Sequence, residues 1–87
     1  MVLVLSCASG ESWELTEDEF LDRVDGWMAE GFVRAPEGRM SVQELDVLDR
    51  VVWHAYYSDA RALVSLAREI REGRAAMRSR TRRKDHD

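Results

Sequence analysis

The stretch that most constrains the fold of this chain runs from Ser41 to Arg78, nearly half of its 87 residues. From Trp53 onward, selected side chains recur at steps of three and four residues: Trp53, Tyr56, Ala60, Leu63, Ala67, Ile70, Arg74 and Met77. That spacing is typical of one face of an α-helix. It continues through Ser58 and Asp59 without a change of phase. We therefore expect one long helix from 42 to about 80, or two stacked helices with a kink near Ser58.

A capping box marks the start of this expected helix. Ser41 stands three residues before Glu44, an arrangement that satisfies two free backbone amides at a helix start. The apolar residues from Val42 to Tyr57 would cover most of the circumference of a helix. A helix of that kind lies at the centre of a domain or in an oligomer interface. The stretch therefore also predicts pairing with a second copy or with another chain.

A further helix is predicted from 17 to 30. Thr16 and Glu19 form another capping box at its start. Its apolar side chains fall on one face at helical spacing: Phe20, Leu21, Val24, Trp27 and Met28. Gly31 follows at a position where helices often end in a left-handed residue.

The first fifteen residues carry weaker signals. Residues 1–5 alternate in a way that suits a short strand, Ser9 and Gly10 indicate a turn, and residues 13–15 suit a second strand. The fold class predicted from the whole chain is mainly α. We expect a small helical domain over 1–78 with an optional N-terminal strand or hairpin, followed by a frayed basic tail over 79–87.

The charged residues are divided unevenly along the chain. Residues 1–60 carry 13 acids and 4 bases, hence −9, whereas residues 61–87 carry 4 acids and 9 bases, hence +5. Together they give the net charge of −4. An acidic body with a basic end suggests binding to charged macromolecules.

Three groups of residues are candidate binding sites. The first is an acidic face: Glu14, Glu17, Asp18, Asp22 and Asp25. The second is an aromatic seam: Trp53, Tyr56, Tyr57, Leu63 and Ile70. The third is a basic group: Arg71, Arg74, Arg78 and Arg82.

Each group has a structural interpretation beside the functional one. The acidic face either keeps the protein soluble or meets a partner rich in Lys and Arg. The aromatic seam either packs the core or anchors an interface, since Trp, Tyr and Arg dominate binding hot spots. The basic group contacts phosphates or an acidic partner, or simply suits the negative end of a helix.

The sequence lacks the motifs of catalysis. No pair of carboxylates is singled out by its spacing, and His54 has no second His or Cys at metal-ligand spacing. Cys7 is the single cysteine, so no internal disulfide forms, and a reducing compartment is expected. No apolar run approaches the ~18 residues that a membrane span requires. We predict neither enzyme activity nor a cofactor, a metal or a membrane.

Residues 41–62 resemble helices of small phage tail-assembly proteins. The resemblance lies in an acidic helix start, Glu44-Leu45, followed by the aromatic cluster of residues 53–57 and by residues 59–61. It implies a helical accessory protein that binds other phage proteins, in the bacterial host cytoplasm or the phage particle.

The predicted function is therefore protein binding by a small accessory or assembly protein of phage or mobile-element type. One alternative is a phage-encoded inhibitor of a host defence complex, in which the acidic surface competes with nucleic acid. A second alternative is a nucleic-acid-binding protein that uses the Arg-rich C-terminal helix.

Overall fold

The chain folds into a four-stranded antiparallel sheet with two helices. The computed structural model describes the backbone from Val2 to His86 and the side chains from Val2 to Arg74. In chain order the elements are β1 (Val2–Cys7), β2 (Ser12–Leu15), α1 (Glu17–Ala29), β3 (Met40–Leu45), β4 (Val51–Tyr57), a 3₁₀ turn (Ala60–Ala62) and α2 (Leu63–His86). The strand order is β2-β1-β3-β4. The fold class is therefore α+β, and the prediction of a mainly α protein is wrong.

The error lies in the first half of the long helix. Residues 40–57 form the antiparallel hairpin β3–β4, and helix appears only from Ala60 onward. Val42 is fully buried while its neighbours Ser41 and Gln43 are half-buried, which is the period of a strand. A short apolar run fits the helical period and the strand period equally well. The steps of three and four therefore assigned Trp53 and Tyr56 to one helical face, although they lie on opposite faces of β4.

The capping box assigned to Ser41 and Glu44 is also wrong. Both residues lie within β3, where the Glu44 carboxylate accepts a hydrogen bond from the indole N–H of Trp53 on β4. The kink considered near Ser58 is instead the link between β4 and α2, where Asp59 caps the 3₁₀ turn. The tail predicted over 79–87 falls beyond the described side chains.

The prediction for α1 is confirmed. The Thr16 hydroxyl accepts from the Glu19 amide at 3.1 Å, and the Glu19 carboxylate accepts from the Thr16 amide at 3.2 Å. At the other end, Gly31 has a φ of 65° and donates to the Met28 carbonyl, while Phe32 donates to the Trp27 carbonyl. These two bonds are the Schellman ending of a helix.

The N-terminal hairpin, an optional element in the sequence analysis, is present. β1 pairs antiparallel with β2, and Leu3 lies opposite Leu15. β1 also pairs antiparallel with β3, so it occupies a central position in the sheet.

Both helices pack against one face of the sheet, here called the inner face. Alternate strand residues and the apolar stripes of both helices make one core: Leu3, Leu5, Cys7, Leu15, Phe20, Leu21, Val24, Trp27, Met40, Val42, Ala60, Leu63, Leu66 and Ala67. The opposite, outer face carries the intervening residues, among them Gln43, His54 and Tyr56, and none of these three is fully buried. The domain is therefore a two-layer sandwich with one open sheet face.

A matched pair of glycine substitutions tests the end of α1. Gly31→Ala forces an alanine into the left-handed region, so we expect a loss of about 1 kcal/mol in the free energy of unfolding. Gly26→Ala lies within the exposed side of the same helix with nothing within 4 Å of the new Cβ, so a gain of about 0.5–1 kcal/mol is expected. Urea denaturation measures both, and equal signs would contradict the assignment.

Candidate protein-binding surface

The acidic face predicted from the sequence is divided between two sides of the domain. Asp18, Asp22 and Asp25 are exposed on α1. Glu14 lies on β2 opposite Val4, which places it on the outer face of the sheet, away from the helices. The structure therefore brings together only the members on α1, with Glu17 at the helix start.

The basic group meets these acids within the same molecule. The guanidinium of Arg74 donates to Asp18 at 2.8 Å and to Glu17 at 3.1 Å, and Arg71 donates to Asp25. Hydrogen bonds to Asp18 and then to Glu17 raise the pKa of Arg74 above its ordinary value. The ion pairs hold α2 against α1, a structural role that the sequence analysis did not predict for these carboxylates.

Two members of the basic group, Arg78 and Arg82, have side chains outside the described part of the chain. For Arg71 and Arg74, binding of a partner stays a prediction. Asp22 has no ion-pair partner among the described side chains, whereas Glu17 and Asp18 pair with Arg74 and the Glu19 carboxylate accepts from the Thr16 amide.

The aromatic seam does not form one surface. Trp53 and Tyr57 point to the inner face from β4, whereas Tyr56 points to the outer face and is 60 % exposed. Leu63 is buried and Ile70 half-buried on α2. On the outer face, the ring of His54 lies 4.5 Å from that of Tyr56, and the guanidinium of Arg39 covers Tyr56 at 4.7 Å.

A different apolar surface lies at the tip of the β3–β4 hairpin. Four side chains, here called the hairpin surface, are more than half exposed: Val47 (90 %), Leu48 (66 %), Val51 (54 %) and Val52 (55 %). Large exposed apolar patches mark sites of interaction with other molecules. The sequence signal was present in the run from Leu45 to Val52, where two apolar stretches flank Asp49-Arg50. It was missed because the whole run was assigned to a helix.

The hairpin loop is held in a defined conformation. The Asp46 amide donates to the Arg50 carbonyl at 2.9 Å, and Asp49 has a φ of 57°. One Asp46 carboxylate oxygen accepts from the amides of Leu48, at 2.9 Å, and Arg50, at 3.1 Å. A type I turn followed by a left-handed residue is a common three-residue hairpin loop, and Asp tolerates that conformation. Val47 and Leu48 are therefore presented at the apex by an ordered loop.

A cleft of about 350 Å³ lies at the opposite end of β4. Its lining combines the loop after α1 with the residues that follow Tyr57: Phe32, Ala35, Pro36, Glu37, Gly38, Ser58, Asp59, Ala60 and Arg61. The Arg61 guanidinium stands 5.9 Å from the Phe32 ring, and the Asp59 carboxylate caps the 3₁₀ turn by accepting from the Ala62 amide. The cleft is therefore apolar on one wall and charged on the other.

Little in the described residues indicates catalysis. Burial, and then the Glu11 carboxylate, raise the pKa of the Cys7 thiol, so the thiol is protonated at neutral pH and is a weak nucleophile. No group of three or more His, Cys, Asp or Glu side chains is placed to hold a metal ion within the part that the structure describes.

Comparison with known proteins identifies no relative. No protein-family model, no curated protein and no solved structure matches the chain. Within the described residues, no helix has both the length and the apolar character that crossing a membrane demands. The resemblance of residues 41–62 to phage tail-assembly helices rested on a helix where the structure has two strands, so that relationship stays a prediction.

Removal of the α1–α2 ion pairs should weaken the fold in a salt-dependent way. Arg74→Gln is expected to lower the thermal midpoint at low ionic strength, and the loss should shrink in about 1 M NaCl, where charge pairs are screened. Arg68→Gln is the matched control because Arg68 is exposed on the same helix and has no ion pair among the described side chains. Equal midpoints for the two variants would contradict the role of Arg74.

The hairpin loop should respond to acid. Hydrogen bonds from the amides of Arg50 and Leu48 lower the pKa of Asp46. The loop is therefore stabilised above the ordinary carboxyl pKa of about 3.9 and loses that stabilisation as the pH falls through the lower, folded pKa. The amide resonances of Leu48 and Arg50 should titrate with a midpoint below about 3.9, the ordinary value of an Asp carboxyl in an unstructured peptide. Asp46→Ala should abolish this titration, and a midpoint at or above the ordinary value would contradict the proposed bonds.

Proposed function

We propose that this chain is a small protein-binding module that works without catalysis. The hairpin surface is the observation that carries the proposal, because it exposes Val47 and Leu48 on an ordered loop and Val51 and Val52 at the adjoining start of β4. The adjoining strand β4 lies at an edge of the sheet, so the backbone N–H and C=O groups on the side away from β3 are open to a further strand. Strand addition provides affinity through the backbone and specificity through neighbouring side chains.

The two alternatives receive less support. Glu17, Asp18 and Asp25 are paired with arginines of α2, which reduces the negative charge available to compete with nucleic acid. The same pairs engage Arg71 and Arg74, which reduces the positive charge available for phosphates. The assignment to phage or mobile-element accessory proteins, and a place in the bacterial cytoplasm or phage particle, stay predictions from the sequence.

Selection from a random peptide library tests the proposal. The protein is immobilised at low density, so that neighbouring copies do not meet, and binding peptides are recovered. Wild type is expected to enrich apolar peptides, and the double variant V47S/L48S to bind them at least about tenfold more weakly because the apex loses its apolar contacts.

Val33→Ser is the matched control, since Val33 is 84 % exposed but lies outside the hairpin surface. It should bind the selected peptides as wild type does. Circular dichroism checks that each variant keeps its fold. Failure to enrich any peptide, or equal binding by V47S/L48S, would show that the hairpin surface is not the binding site.

A further inference from the structure

Three arginines stand over aromatic rings, and each borders a depression in the surface. The pairs are Arg23 with Trp13 at 5.1 Å, Arg39 with Tyr56 at 4.7 Å, and Arg61 with Phe32 at 5.9 Å. The depressions beside Arg23 and Arg61 are each lined by two acids, Glu19 with Asp22 and Glu37 with Asp59. The depression beside Arg39, here called the Arg39 pocket, has no Asp or Glu in its lining. Arg39 is therefore the member of the three whose pocket best suits an anion.

The Arg39 pocket lies on the outer face, at the end of the sheet away from the hairpin tip. Ser6 lies opposite Ser41, and Ser41 lies opposite Tyr56, so these three side chains form one row across β1, β3 and β4. The Ala8 amide donates to the Arg39 carbonyl at 3.0 Å, which extends the β1–β3 ladder by one more pair. Because strand residues alternate between faces, Ala8 and Arg39 belong to the same face as that row.

The pocket arises from small side chains beside large ones. Ala8, Ser6 and Ser41 form a low floor, and Tyr56 with the Arg39 side chain rises next to it. The space amounts to about 200 Å³, the volume of about seven water molecules. Ala8, the tyrosine ring and the methylene stem of the arginine are apolar surfaces. A ligand of this size can therefore place an apolar body against the wall.

Polar donors stand at the same place. Arg39 has no carboxylate within ion-pair distance among the described side chains. The Tyr56 ring covers one face of the guanidinium, so the N–H donors, which lie in its plane, stay available. The hydroxyls of Ser6 and Ser41 are further donors in the lining.

These donors favour a carboxylate over other anions. A guanidinium binds a carboxylate through two parallel hydrogen bonds, and its planar fork matches that group. One cation and two hydroxyls suit a single negative charge better than a phosphate dianion. After burial, the Glu11 carboxylate is the second cause that raises the pKa of the Cys7 thiol, so one acid acts on this end of the sheet. Glu11 is exposed and outside the lining, so solvent and salt weaken its repulsion of a bound anion.

We propose that the Arg39 pocket is a binding site for small organic carboxylates, with the carboxylate on the Arg39 guanidinium and the serine hydroxyls and the apolar body against Tyr56. This site is separate from the hairpin surface, which lies at the other end of β3 and β4. It therefore stands or falls independently of the proposed function.

NMR titration of the whole chain with benzoate tests the site. Benzoate should shift the backbone amides of Ser6, Ser41 and Tyr56 in a saturable way. Benzamide has the same ring and nearly the same shape without the charge, so it should bind at least about tenfold more weakly. Equal binding of the two ligands, or no saturable shift with benzoate, would overturn the proposal.

Arg39→Gln is the variant that removes the proposed carboxylate contact. Arg39 is exposed, so the fold should be kept, and the affinity for benzoate should fall at least about tenfold. Arg61→Gln is the matched control, because it removes the same charge from another exposed arginine over an aromatic ring. It should bind benzoate as wild type does. Equal affinities for the two variants, with circular dichroism showing both folded, would remove Arg39 as the anchor and contradict the site.

The carboxylate could belong to a free small acid or to the C-terminus of a polypeptide. N-acetylleucine mimics such a terminus, and its amide is the uncharged control. Tighter binding of N-acetylleucine than of benzoate, lost in the amide, would support the site and identify a chain terminus as its ligand. Binding of benzoate alone would support the site and identify a free acid.

Discussion

The one-sided cover of the sheet determines the rest of this structure. Two helices bury the inner face, and the core of the domain lies entirely between these two layers. Among the described elements, both helices lie on the inner face, so none of them covers the outer face or the free side of β4. His54, Tyr56 and the hairpin surface are exposed for that reason. The proposed binding surface is thus a consequence of the layer arrangement of the domain.

Where local signals were strong, the sequence was enough to predict the structure. The capping box at Thr16 and the glycine at 31 defined both ends of α1, because both act within one turn of backbone. The stretch from 40 to 57 was misassigned because its apolar residues are dense enough to fit two periods. Ser41 and Glu44 then supplied a false helix start. The β-branched and aromatic content of β4 was the better guide, since such residues suit a pleated surface.

The candidate site was harder to predict because it depends on contacts between distant residues. The uneven division of charge was visible in the sequence. The sequence did not reveal that Arg74 contacts Glu17 and Asp18, which lie more than fifty residues away along the chain. Acids that looked like a surface for a partner are in large part neutralised by the chain's own helix. Conversely, Val47 and Leu48 looked like two apolar residues of a helix. Their exposure follows from the turn around Asp46, which no periodicity reveals.

The order of the loop is the physical argument for a binding role of Val47 and Leu48, as proposed above. Scattered apolar side chains on a surface are ordinary, and a mobile apolar loop would lose conformational entropy on binding. Here the Asp46 carboxylate already fixes the amides of Leu48 and Arg50, and Asp49 holds the left-handed position that closes the hairpin. Much of the ordering cost is therefore met during folding, so apolar contacts at the apex translate more fully into affinity. Nothing in the core requires that apex to be apolar, because Val47 and Leu48 contribute nothing to the buried cluster. A polar loop would serve folding equally well, which favours binding as the reason for these side chains.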